Sequence, residues 1–179
     1  MSIFLFSENT FADQLPDEKT ILLTRKHWFT LFVPLLIVFV LGFLPFVIYS
    51  LVEVSLMDMV QWYAFVPSAY WFLMSIYFLA LWHLAFYNIM IYSLNTIVVT
   101  NKRIIENKQQ GFFRHTVNEL ELDRIQDIST KVFGPIAEFL NFGNIEIQTA
   151  GAKGKFHLTR LPDPKKIRKA IKRNVSKKT

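Results

Sequence analysis

Between Met59 and Asn101 the chain carries no formal charge, and an earlier run, Trp28 to Val52, is apolar for about 25 residues. Nothing else in the sequence restricts the fold as much. A bilayer crossing takes about 20 apolar residues, so the uncharged stretch is far longer than one crossing needs. The first run holds Pro34, Gly42 and Pro45. Neighbouring groups re-satisfy the backbone that such residues free in a membrane helix, and a kink is expected there. Trp28 opens the run, where an indole suits the bilayer interface. A cleaved signal peptide fits poorly: acids precede the run, it is too long, and no small-residue cleavage site follows. The second crossing starts near Trp62 or Tyr63 and, at about 1.5 Å per residue, is exhausted near Phe86–Ile89.

Charge sets the expected orientation. "EVSLMDMVQ", Glu53 to Gln61, holds two acids and neither Lys nor Arg. Lys19, Arg25 and Lys26 precede the first run, and Lys102, Arg103 and Lys108 follow the second. The positive-inside rule then puts both termini in the cytoplasm, predicting a multi-pass protein of the cytoplasmic membrane. Past Asn95 come Thr-Ile-Val-Val-Thr, β-branched and strand-forming. Asn101-Lys102 reads as a turn, and Arg103-Ile104-Ile105 opens another strand. Helix passes to strand with little linker, so the domain that follows is expected close against the membrane.

The expected plan is an N-terminal cytoplasmic segment (1–26), a first membrane helix (27–52), an outer loop (53–61), a second helix (62–90), a β-rich domain (91–175) and a basic tail (176–179). "NIEIQTA" alternates Ile145 and Ile147 with Glu146 and Gln148, a half-buried strand. "KFHLTRL" sets Phe156, Leu158 and Arg160 against His157, Thr159 and Leu161. In "VNELELDRIQDIST" the apolar spacing fits neither period, leaving two strands with an offset, or a short helix. "GPIAEFLNFG" holds a helical turn or a strand entry. "GAKGK", 151–155, reads as a hairpin turn. Asp163 as N-cap, Pro164 at the first helical position and Ile167, Ala170, Ile171 and Val175 on one face predict a C-terminal helix.

"TNKRIIENKQQGFF", "VNELELDRIQDIS" and "FLNFGNIEIQTAG", in that order, resemble bacterial pleckstrin-homology-like (PH-like) domains of small membrane proteins. "LLTRKHWFTLFVPLL" resembles the entry into the first membrane helix of those proteins. The resemblance spans roughly residues 20–172. It implies two transmembrane helices followed by a cytoplasmic, partly open antiparallel β-barrel capped by the C-terminal helix. It also implies action beside itself or a related PH-like membrane protein, with roles in envelope stress or in resistance to membrane-active peptides. No biochemical activity is implied, and fold does not fix function.

The candidate site residues are basic. Residues 101–179 carry 17 Lys/Arg against 8 Asp/Glu, a surface suited to anionic partners. Lys165, Lys166, Lys169, Lys172 and Arg173 crowd the C-terminal helix, and Arg25, Lys26, Lys102 and Arg103 flank the membrane runs. They either hold anionic headgroups or orient the domain, each worth about 1 kcal/mol near the surface. The tail lacks interleaved stacking aromatics, so no nucleic acid is expected. His83 is the one intramembrane histidine, expected to face the other helix and hydrogen-bond a tyrosine such as Tyr87. Glu121, Asp123, Arg124 and Asp127 read as solvated ion pairs. There is no cysteine, no metal-like histidine spacing and no hydrolase or nucleotide motif. The expectation is a non-enzymatic protein without cofactor or metal, partnered by membrane lipids and by other proteins, or alternatively a sensor of anionic lipid. In the cysteine-free chain, Ser55→Cys should be labelled by an impermeant thiol reagent from outside intact cells. Labelling from the inside alone would invert the topology.

Overall fold

The computed structural model describes residues 14–56, 66–149 and 156–178. The chain forms two units. One holds Phe29–Met90; the other combines the segment up to Trp28 with the chain from Ile91 onward.

The first unit is a pair of long apolar helices, α1 (Phe29–Leu56) and α2 (Val66–Leu94). Both are long and apolar enough to cross a membrane. α1 runs on through Pro34 and Pro45. Pro45 has no N–H to give the carbonyl of Leu41, one turn back. The hydroxyl of Tyr77 on α2 donates to that carbonyl instead, at 2.9 Å. Tyr70 donates to the carbonyl of Pro45 itself. Around these bonds Phe46 meets Phe78, and Tyr49 meets Tyr70 and Trp71. Helix pairing therefore repairs the break that the proline makes.

Among the described residues the second unit contains seven strands. β1 (Thr20–Arg25), β2 (Thr96–Thr100), β3 (Arg103–Gln109) and β4 (His115–Glu121) form one antiparallel sheet in that order. β5 (Ile125–Lys131), β6 (Phe142–Thr149) and β7 (Phe156–Pro162) form the other. A 3-10 turn at Leu122–Arg124 joins β4 to β5, and a short helix α3 (Pro135–Phe139) precedes β6. Helix α4 (Pro164–Lys178) closes the unit. Its Ile167 and Ile171 complete a core made by Leu22, Ile97, Val99, Ile104 and Leu120 of the first sheet and Ile128, Ile145, Ile147, Leu158 and Leu161 of the second. Leu122 enters this core from the turn and is fully buried.

Several sequence boundaries shift. Thr20–Arg25 lies in the segment expected outside the domain, yet it pairs with β2 from Thr20↔Thr100 to Arg25↔Thr96. The domain is thus discontinuous, with both helices inserted between its first and second strands. α1 continues to Leu56, inside the expected loop, while the rest of that loop (57–61) and "GAKGK" lie outside the described residues. α2 runs to Leu94, past the expected end at 90. α4 runs to Lys178 and takes in most of the expected tail. The uneven middle segment is two strands in different sheets, joined by the 3-10 turn. In β7, Leu158 and Leu161 are both buried and Arg160 is exposed. The step Gly143-to-Ile145 on β6 faces Leu161-to-Leu158 on β7, one residue more. That extra residue is a bulge, which breaks strict alternation.

A buried ionic strap holds β1 in place. Glu18, with no exposed side-chain surface, accepts from the Arg103 guanidinium at 3.1 Å, from the Thr100 hydroxyl at 2.7 Å and from the Leu15 N–H at 2.8 Å. Arg103 also pairs with Glu119 at 2.6 Å. Asn101 exchanges bonds with Lys19 and donates to the Asp17 carbonyl, and Lys102 donates to the Pro16 carbonyl. Burial pushes the Glu18 carboxyl up, but the bonds from Leu15, Thr100 and Arg103 together outweigh it and hold the carboxyl below its ordinary value.

Two expectations follow. Tyr77→Phe leaves the Leu41 carbonyl short of a donor and should weaken the helix pair by roughly 0.5–2 kcal/mol, read by unfolding in a detergent titration. With Pro45→Ala, which restores the N–H, the same change should cost far less, and equal losses would refute the repair. Glu18→Gln should destabilise the β unit by roughly 1–3 kcal/mol at neutral pH. Because the folded Glu18 carboxyl is depressed, its contribution is present above the ordinary carboxylate range and lost as pH falls through its lowered value. Melting of wild type and variant should therefore converge in acid.

Candidate functional site

The end of β1 runs into a cleft of about 520 Å³. Lys26 comes from the residue after β1 and Lys131 from the last position of β5. Phe133 and Ala137 come from the approach to α3 and from α3 itself, Phe142, Gly143 and Asn144 from β6, and Thr159 and Arg160 from β7. Gly143 is required here: a Cβ at this position would lie 2.7 Å from the Lys131 carbonyl oxygen.

The bulge sets Arg160. Its φ of 56° lies in the left-handed region, which non-glycine residues enter only when their surroundings hold them there. Two bonds do so. The Arg160 N–H donates to Asn144 Oδ1 at 2.9 Å, and its carbonyl accepts the His27 N–H at 2.7 Å. His27 is buried and stacks on Phe142, ring centroids 5.0 Å apart. The residue after Lys26 thus ties the end of β1 to the bulge of β7.

The charges in the cleft are unevenly matched. Lys131 pairs with Glu146 at 2.7 Å. Among the described residues neither Lys26 nor Arg160 has an ion pair. Burial pushes the Lys26 ammonium down from its ordinary value, Lys108 and Arg160 push it the same way, and Glu106 opposes them only in part. Two cations thus share a partly desolvated space with, among the described residues, no carboxylate paired to either. A guanidinium, an ammonium, the Thr159 hydroxyl and the amide N–H groups of Asn144 suit an oxyanion such as phosphate, and Phe133 and Phe142 give the cleft apolar walls. Among the described residues no group of three or more His, Asp or Glu is placed to hold a metal ion.

The predicted site residues divide. Lys26 lines the cleft, and Arg25 is exposed at the end of β1, beside Thr96. Arg103 is held by two carboxylates and Lys102 by the Pro16 carbonyl, so neither is a loose cation. Lys165, Lys166, Lys169, Lys172 and Arg173 are exposed on α4, with Lys166 bound to Asp163 at 3.2 Å. The structure gathers none of these five into the cleft. His83 lies on α2 and is exposed. Arg160 and Lys131 were not among the candidates. The signal for Arg160 was present in the three-residue step between Leu158 and Leu161, which a plain strand does not make.

No curated protein matches the chain. Among solved structures it is similar to a DUF1696-family protein with a pleckstrin-homology domain from Shewanella loihica PV-4, at 20% identity over 45% of this chain and 70% of that one, with a TM-score of 0.38. It is also similar to a pleckstrin homology domain from Shewanella amazonensis SB2B, at 19% identity over 45% of this chain and 66% of that one, again with a TM-score of 0.38. The family model "Bacterial PH domain" matches residues 30–175, both long helices and all but the first strand. The chain belongs to the bacterial PH domain family.

Proposed function

We propose that this is a non-enzymatic membrane protein whose two helices cross the cell membrane with both termini in the cytoplasm, and whose PH-like domain takes the phosphate of an anionic lipid at the inner leaflet. The unmatched pair Lys26 and Arg160 carries this reading. Lys26 stands three residues before α1 begins at Phe29, and three residues reach at most roughly 10 Å. The second connection is shorter still: α2 ends at Leu94 and β2 begins at Thr96. The chain distance from Lys26 to the start of α1 is thus on the scale of the Debye length, ~8 Å at physiological salt. The helices already supply residence at the membrane, so lipid binding sets the attitude of the domain and reports lipid charge.

Assembly with itself or a related PH-like membrane protein is the second reading. It is favoured by β4, which among the described residues pairs only with β3 and has an open edge in the first sheet. An open edge accepts an added strand.

Full-length protein in nanodiscs containing anionic phospholipid should melt higher than in zwitterionic nanodiscs. Lys26→Ala with Arg160→Ala should remove that gain, about 2 kcal/mol for two basic groups near the surface, while Lys169→Ala with Lys172→Ala should leave it. A gain that survives loss of Lys26 and Arg160 would assign it elsewhere and end this reading of the cleft.

A further inference from the structure

The register of the first sheet defines an end. Arg25 of β1 lies beside Thr96 of β2, Thr96 beside Asn107 of β3, and Asn107 beside Val117 of β4. Both connections to the apolar helices leave the sheet at this row. β3 and β4 do not stop there. They pair for two further positions, Lys108↔Thr116 and Gln109↔His115, and then turn through Gly111, Phe112 and Phe113, with the Gln110 N–H bonded to the Arg114 carbonyl. At about 3.4 Å per residue the tip stands roughly 10 Å beyond the row.

That tip is apolar. Phe113 is fully exposed at 101%, and Phe112 is exposed beside it. The same end carries a second apolar group from the other sheet. α3 shares the cleft wall with Lys26, and Phe133, Ile136 and Phe139 on and before it are exposed, Phe139 at 88%. Single exposed apolar residues are ordinary on a soluble surface, but two groups of large ones at one end, one from each sheet, mark an interaction surface. Cations lie at this end, Lys26, Lys108, Arg114 and Arg160, together with the Glu106 carboxylate, which Asn118 engages, and the exposed Glu138 of α3.

We infer that this end of the PH-like unit is itself a bilayer-binding surface, with the Phe112-Phe113 tip and the Phe133/Ile136/Phe139 knob seated in the lipid interface on either side of the cationic cleft. Two observations choose lipid as the occupant: the pairing of large apolar groups with cations, which complements an anionic interface, and their place at the end of the sheet where the chain passes to both apolar helices. Amphipathic surfaces with apolar tips and a basic surround bind anionic interfaces in this way. The inference rests on the membrane reading above but not on the cleft holding a phosphate.

The test uses the cysteine-free full chain in nanodiscs. Phe113→Cys and Phe139→Cys each carry a nitroxide, and Arg124→Cys, on the turn beyond the far end of β4, is the reference. Power-saturation EPR then compares collision with lipid-soluble oxygen and with a water-soluble nickel chelate. The oxygen-to-nickel ratio should be severalfold higher at 113 and 139 than at 124, in zwitterionic as well as anionic nanodiscs. Equal ratios at the three positions would overturn the inference. So would shielding from both reagents with spin–spin broadening between copies, which would instead make this end a protein interface. Melting of the Lys26 and Arg160 variants reads the phosphate separately, so either idea can fail while the other stands.

Discussion

The structure depends on one non-local pairing. β1 and β2 are neighbours in a sheet but stand on either side of two long helices in the chain, so the sheet forms only when both ends of that insertion are brought together. Adjacent strands lie about 4.8 Å apart, which fixes the start of α1 and the end of α2 to neighbouring strands. Where β1 begins, the buried Glu18 carboxylate is tied to Arg103, Thr100 and the Leu15 N–H. Closing a long loop costs entropy that rises only slowly with length, and two helices that pair with each other reduce it further.

Arginine plays two opposite parts in the unit. Arg103 has two carboxylates and serves as a structural tie. Arg160 has none among the described residues, is held in an unfavourable backbone conformation by Asn144 and His27, and shares its space with Lys26. A neutralised cation stabilises the fold; an unneutralised one, kept near another, raises the local potential and leaves the chain with an affinity it does not satisfy itself. The same distinction separates Lys131, paired with Glu146, from its neighbour across the cleft.

What was legible in the sequence follows from the range of the interactions. The apolar runs, the alternation of Ile145 and Ile147 and the Ile167–Ile171 face are local periodicities, and each appears as a helix, a strand or a helix face. The pairing of Thr20–Arg25 was not legible, because six residues ahead of a membrane run show no partner until a strand some seventy residues later is placed beside them. Lys102 and Arg103 stand where membrane topology calls for positive charge, so the sequence left headgroup binding and an orienting role both open. Apart from the Arg103–Glu119 pair, their side-chain bonds go to Glu18 and Pro16 in an upstream segment whose position no local pattern reveals. Arg160 was misplaced for a different reason: a bulge shifts the facing of every residue after it, and alternation counted along the chain assumes there is none.

The junction at Asn95 has a local consequence. Its amide caps the last turn of α2 through the Ile91 carbonyl, while its side-chain oxygen accepts the N–H of Gln109 in β3 at 3.0 Å. One side chain thus both ends a helix and secures the end of a strand. Its loss would strip a helix-terminal carbonyl and a strand N–H of their partners together.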